Sequence, residues 1–379
     1  MTKPVRMTAP AKPKPLEGIL VADFTTLLPG PLATLMLAEA GAEVVKIERP
    51  GGETARMIAP FLRGNSAAFA MLNRGKKQLI ADLKSEAGRA AANDLVARAD
   101  VLVEQFRPGV MERLGFGYEA VKKKNPRLVY CSISGYGQTG PKSGEAGHDI
   151  NYIGETGLLA LSPGPIDRPT VPPALIADIG GGTFPAVINI LLALLQRAKT
   201  GEGTHIDIAM TDAMFTFAWY SLAALYSTGR LPDSNELRYT GVNPRYQIYT
   251  TKDGKLVACG ALEQHFWLAF CGAIGLPAEL VDDFNDPAET RDAVRKIIAS
   301  QTTAHWKPKF AAADCCVTVV RTLEEALADP HFIERGLFSH RVDLPGGPPI
   351  GALPMPIARD LRVEDEVRPF PTNRSVPKR

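Results

Sequence analysis

The sequence has no Gly-x-x-x-x-Gly-Lys-Ser/Thr phosphate loop, and no Gly-x-Gly-x-x-Gly follows its first predicted strand. The two commonest backbone cradles for nucleotide phosphates are therefore absent. Its five cysteines (131, 259, 271, 315 and 316) show no metal-ligand spacing. Adjacent Cys315 and Cys316 suit neither a disulfide framework nor a zinc site, and the set reads as reduced thiols of a cytoplasmic protein. The net charge is only +2, which argues against a general nucleic-acid surface. No apolar run reads as long enough to span a membrane. Residues 1–15 are basic and proline-rich without an apolar signal core, so they are expected to form a disordered tail. No internal repeat and no cofactor or metal motif is present, and the final Ser375-Val376-Pro377-Lys378-Arg379 is no recognised address.

What is present alternates. Leu16 to Phe24 reads as a buried strand, Leu32 to Ala40 as a helix with Gly41 at its C-cap, and Ala42 to Ile47 as a second strand. Lys77 to Asp82, Glu86 to Ala97, Val101 to Gln105, Tyr118 to Asn125 and Leu128 to Ser132 continue the alternation. Gly180 to Arg197 is an apolar helix, and Thr204 to Met210 a further strand. This predicts an α/β fold, with a large Rossmann-like, mostly parallel lobe over 16–228. Asp212 to Tyr226, apolar and aromatic at helical spacing, is expected to be a buried core helix. The texture changes near 229. A hairpin around Lys252-Asp253-Gly254, helices at Phe266 to Ile274 and Asp292 to Ser300, and a strand near Asp314 to Val320 predict a smaller α+β lobe over 229–330. Residues 331–379 are expected to return to the first lobe, and Pro163 to Pro173 and Leu231 to Asn243 to be loops.

Ligands of such sheets sit beyond the carboxyl ends of the strands. Arg49, Lys84, Arg107 and Arg113 fall near those ends. Singly each suits a solvated surface, whereas as a group they suit a polyphosphate held by side chains. His148, in Gly147-His148-Asp149-Ile150-Asn151-Tyr152, sits in polar loop-like sequence. Asp178 precedes Gly180-Gly181-Gly182 and an apolar helix. Asp178 is either a plain N-cap or a carboxylate beside an oxyanion site, with the glycines admitting substrate and the helix start offering N–H groups. The glycine run favours the second reading. Glu263 follows the hairpin and either orients a histidine or is an ordinary exposed turn residue.

These motifs resemble the family III CoA-transferase superfamily from about Leu16 to about Phe338. The resemblance rests on Leu28-Pro29-Gly30-Pro31, Val44-Val45-Lys46-Ile47-Glu48-Arg49-Pro50, Ala81-Asp82-Leu83-Lys84, Phe106-Arg107-Pro108-Gly109-Val110 with Glu112-Arg113-Leu114-Gly115, and Ser134-Gly135-Tyr136-Gly137-Gln138-Thr139-Gly140-Pro141. The His148 and Asp178 motifs look like the α-methylacyl-CoA racemase branch. The resemblance implies an acyl-CoA thioester substrate, with CoA as part of the substrate and no separate cofactor. It implies His148 and Asp178 as acid/base groups on opposite faces of the α-carbon, with Glu263 paired to His148. It further implies CoA contacts at Arg49, Ala81, Leu83, Lys84, Arg107, Arg113, Asp149 and Tyr152, and two interlocked chains forming a homodimer. The alternative is a CoA-transferase proper, in which Asp178 is a nucleophile forming an anhydride and then a thioester and His148 is not needed. A non-catalytic CoA-binding protein would not need either group.

Overall fold

The computed structural model describes residues 13–161, 164, 167–232, 236, 239 and 241–371. Most of the expected N-terminal tail, and parts of the two expected loops, lie outside the described residues. The described end of that tail is tied down: Lys14 forms an ion pair with Glu364 at 3.1 Å. The chain divides into two compact units. One holds 1–156, 172–216 and 336–379, and the other 157–171 and 217–335. The second unit thus begins before 229 and also takes a segment from the middle of the chain.

The first unit is built on six strands: β1 (Leu20–Asp23), β2 (Glu43–Glu48), β3 (Lys77–Ile80), β4 (Val101–Glu104), β5 (Val129–Ser134) and β6 (His205–Ala209). Their order across the sheet is β3-β2-β1-β4-β5-β6, and every pair is parallel. Near-continuous burial of β1, β4 and β5 matches a parallel sheet covered on both faces. Leu20, Ala22, Val45, Leu102 and Tyr130 of the sheet share a core with Ala92, Leu95 and Val96 of helix α2 (Glu86–Arg98). Helix α1 (Pro29–Glu39) is buried along its whole length. The chain leaves β1 in one direction to β2 and crosses to β4 on the other side. The order therefore reverses between β1 and β4, which is where doubly wound sheets open a ligand crevice at their carboxyl edge.

Two helices depart from expectation. Asp178 does not cap a helix. It lies in the first turn of a π-helical stretch, Ala177–Thr183, that runs directly into the α-helix Phe184–Thr200. Together they span 24 residues, with an 18-residue window of mean hydropathy 1.6, long and apolar enough by composition to cross a membrane, contrary to the expectation that no such run exists. The interrupting Asp178 and the glycines hid its length. The aromatic helix over 212–226 is two short helices, Met214–Phe217 and Trp219–Thr228. It is not a core helix: Phe215, Trp219 and Tyr226 are exposed. Apolar periodicity defines a face but not what covers it.

The C-terminal segment belongs to the first unit. Val342, Leu344 and Phe370 share a small core with Phe69 and Ala70. Arg74 and Glu39, both fully buried, pair at 2.9 Å, and Arg74 also donates to the Leu353 carbonyl. In the second unit, strands Tyr246–Thr250, Leu256–Gly260 and Val317–Val319 form an antiparallel sheet. Its core contains Tyr249, Val257, Trp267, Phe270, Val294, Ile298, Trp306 and Phe310.

Removing one partner of a buried ion pair leaves an uncompensated charge. Arg74→Met is therefore expected to cost about 3–5 kcal/mol in urea denaturation. The double variant Arg74→Met/Glu39→Met is expected to recover most of that loss.

Candidate active site

At the reversal point the carboxyl edge of the first unit opens a cavity of about 450 Å³. The β1–α1 connection contributes Leu27 and Pro29, and the segment after β4 contributes Gln105 to Pro108. Ser134 and Gly135 come from the end of β5, and Met210 from the end of β6. His148, Asn151 and Tyr152 come from a short helix, α3 (Asp149–Glu155), and Asp178 from the π-helical turn.

His148 is the N-cap residue of α3. Its backbone N–H donates to Asn151 Oδ1 at 3.0 Å, which fixes the point where the loop becomes helix. The Tyr152 hydroxyl donates to the Gly147 carbonyl at 2.6 Å, and its ring meets Tyr136 edge-on at 5.4 Å. A Cβ at Gly135 or Gly147 would lie 2.5 or 2.6 Å from the Tyr152 ring, so both positions require glycine. The loop carrying His148 is thus wrapped around one buried tyrosine. Desolvation, helped by the nearby Asp178 charge, pushes the Tyr152 phenol up to about 12.

Asp178 is joined to the same helix. Its backbone N–H donates to Asp149 Oδ1 at 2.9 Å, which satisfies one orphan donor of the helix start. The Ile179 N–H goes to the Leu175 carbonyl. These two N–H groups are therefore not free for a substrate oxyanion. The glycine run also has a packing explanation. A Cβ on Gly181 would sit 2.4 Å from the Met210 carbonyl oxygen, and one on Gly182 3.0 Å from Pro29 Cβ. At least these two glycines admit neighbouring protein. π-Helical turns of this kind recur at functional sites.

The Asp178 carboxyl is pushed up to about 6, first by desolvation and second by the neighbouring Asp149 carboxylate, with His148 opposing. A carboxyl so placed exchanges protons near neutral pH.

Of the residues singled out from sequence, Arg107, His148, Tyr152 and Asp178 line this cavity together. Asp149 lies just behind it, buried and committed to the Asp178 backbone. Arg49, Ala81, Leu83, Lys84 and Arg113 do not line it. Arg49, Ala81, Leu83 and Lys84 follow β2 and β3 on the same edge, and Arg113 lies in the helix Val110–Leu114 after β4. Arg49 Nε donates to the Gly52 carbonyl. Glu263 belongs to the second unit, exposed at the N-cap of helix Gln264–Ile274, where its side chain makes no capping bond. Leu27, Ser143, Glu145, Asn151 and Met210 line the cavity and were not singled out. Ser134 carried a signal as a polar residue at a strand end, and so did Gln105. Its Oε1 accepts the Gly30 N–H at 2.8 Å, which explains that glycine too. Among the described residues no cluster of His, Cys, Asp and Glu is arranged to hold a metal ion.

The model of CoA-transferase family III matches residues 16–369, and the chain belongs to that family. It is 36% identical over 354 residues to the acetyl-CoA:oxalate CoA-transferase of Acetobacter aceti, covering 90% of each chain. It is 35% identical over 329 residues to the alpha-methylacyl-CoA racemase of Homo sapiens, covering 85% of this chain and 82% of that one. A crystal structure of a CAIB/BAIF family protein from Brucella suis superposes with a TM-score of 0.78 at 31% identity, covering 96% of this chain and 97% of that one. Relatives at similar distance thus include both a racemase and a transferase.

The raised Asp178 carboxyl has a stability consequence of definite sign. Its folded value of about 6 exceeds the ordinary carboxylate value, so folding favours the protonated form. Its ionisation therefore opposes folding increasingly as pH rises from about 4 to about 6. Asp178→Asn is expected to stabilise the protein at pH 7.5 by about 1–2 kcal/mol, discounted for partial solvent exposure. Denaturant titrations should show that gain vanishing by about pH 4.

Proposed function

We propose that this protein racemises 2-methylacyl-CoA thioesters. One of His148 and Asp178 removes the α-proton to give an enolate, and the other returns a proton from the opposite face. The observation that carries this reading is that an imidazole and a carboxyl poised at about 6 line one cavity. Proton transfer is most efficient when the pKa of the acid or base lies near the working pH, and imidazole is the ordinary side chain for that range. On the resemblance alone, Glu263 is assigned a lesser part, tuning the histidine.

The cavity chemistry supports the same choice. Leu27, Pro29, Phe106, Ile133 and Met210 give it an apolar wall for a branched acyl chain. Arg107 is the one guanidinium among its lining residues, placed to take a CoA phosphate. Arg49, Lys84 and Arg113, with the backbone around Ala81 and Leu83, extend that basic edge towards the nucleotide. A dicarboxylate acceptor would need a further cation, which the lining residues do not supply. CoA enters only as part of the substrate, and no other cofactor has a role in this scheme.

A CoA-transferase reading is favoured by the similarity to the oxalate enzyme. Asp178 would then attack the thioester carbonyl, expelling CoA thiolate to leave a mixed anhydride. His148 would have no step to perform.

The same proposal includes a cytoplasmic homodimer. Phe184, Ile188, Leu191, Leu192 and Leu195 recur on one face of the helix Phe184–Thr200 and are exposed, and a second copy of the chain would cover them.

The deciding experiment follows α-deuterium incorporation from D₂O into one enantiomer of a 2-methylacyl-CoA. Exchange with loss of chirality is expected. CoA transfer to an added carboxylate without exchange would overturn the reading. His148→Ala and Asp178→Ala should each lower exchange by about 10²–10⁴, and Glu263→Gln by a smaller factor. Arg107→Ala should raise KM for the CoA ester and leave a substrate lacking the nucleotide unaffected.

A further inference from the structure

Leu27 is a leucine in the left-handed backbone region, with φ of 60°, and it forms part of the cavity wall. That conformation is unfavourable for a side chain with a Cβ and persists only where the surroundings impose it. The surroundings here are a single buried ion pair. Glu53 Oε2 accepts the Leu27 N–H at 3.0 Å, and Glu53 Oε1 lies 3.0 Å from Lys46 Nζ. The same Lys46 ammonium donates to the Thr25 carbonyl at 2.7 Å. Both side chains are almost wholly buried, Lys46 at 0% and Glu53 at 3% exposure.

One pair thus grips both ends of Thr25 to Leu27, within the five residues that join β1 to α1. The ammonium takes the carbonyl of Thr25, and the carboxylate takes the N–H of Leu27. The pair is itself held in register. The Glu53 N–H donates to Glu48 Oε2, and Glu48 accepts both Arg56 Nε and Nη2 at 2.6 and 2.7 Å. The other end of the stretch is anchored by Asp23, which accepts the Thr25 N–H and hydroxyl. Lys76 pairs with Asp23 at 3.1 Å and donates to the Pro31 carbonyl. Replacing a buried ion pair by apolar residues of similar volume is often neutral for stability. A pair serving packing alone would therefore be exchangeable without loss of function, and its contacts to the Leu27 N–H of the cavity wall and to the Thr25 carbonyl two residues before it point to another role.

We propose that Lys46 and Glu53 are positioning residues, which fix the left-handed Leu27 so that the cavity wall facing the reacting carbon keeps a single shape. The proposal rests on the cavity being the active site and is framed independently of which reaction it performs.

The test uses Lys46→Met/Glu53→Met, alone and combined with Leu27→Gly or Leu27→Ala. Turnover is measured in whichever reaction the wild-type enzyme performs, α-proton exchange or CoA transfer, so that failure of the racemase reading is seen in the wild type alone. The double Met variant is expected to melt within a few degrees of wild type and to bind the CoA ester with little change in KM. Its kcat is expected to fall at least tenfold. Glycine adopts the left-handed region freely whereas alanine does not, so adding Leu27→Gly should recover much of kcat and adding Leu27→Ala should not. An unchanged kcat in the double Met variant would overturn the proposal. So would rescue by both substitutions equally, or by neither.

Discussion

The backbone N–H of Asp178 donates to the carboxylate of Asp149, and the arrangement of the site depends on that bond. Asp149 is the first residue of the helix whose N-cap is His148. The bond therefore ties the element presenting the imidazole to the element presenting the second carboxyl, although they lie thirty residues apart in the chain. It also sets two negative charges side by side. With desolvation as the larger cause, that neighbour raises the Asp178 carboxyl to about 6. The contact thus fixes position and adds to a proton affinity that desolvation mainly sets.

The parallel sheet supplies the frame. Its order reverses between β1 and β4, and the crevice opens where the two halves of the chain diverge. Glycines at 30, 135, 147, 181 and 182 let elements approach that edge more closely than a Cβ allows. Gly30 meets Gln105 and Thr25, Gly135 and Gly147 meet Tyr152, Gly181 meets Met210 and Met214, and Gly182 meets Pro29 and Met210. The buried charges of Asp23, Lys46, Glu53 and Lys76 lie under the first connection. Burial alone would raise the Asp23 carboxyl, but Lys76, Lys46 and two threonine hydroxyls outweigh it and hold the group at about 2.

Much of this was legible in the sequence. The alternation of strands and helices gave the parallel lobe, because apolar runs between glycine and proline punctuation reflect local backbone preference. Arg107, His148, Tyr152 and Asp178 were found from short motifs and do meet in one cavity. What failed was non-local. The helix start at Ala177 was missed because a π turn through three glycines has no period to read. The glycines were assigned to substrate, whereas two of them face Met210 and Pro29 across the fold. Trp219 and Tyr226 were placed in a core because their spacing cannot say whether a partner covers them. The bond from Asp149 to a backbone N–H twenty-nine residues on left no trace in spacing.

The central claim is that Asp178 is a carboxyl held near neutrality by its desolvated place beside Asp149. The most direct measurement is an NMR titration of the Asp178 side-chain carboxyl in the unliganded protein, repeated in Asp149→Asn. The account predicts an inflection near pH 6 that moves to lower pH when the Asp149 charge is removed. An inflection near 4 in the native protein, or one near 6 that Asp149→Asn leaves in place, would contradict it.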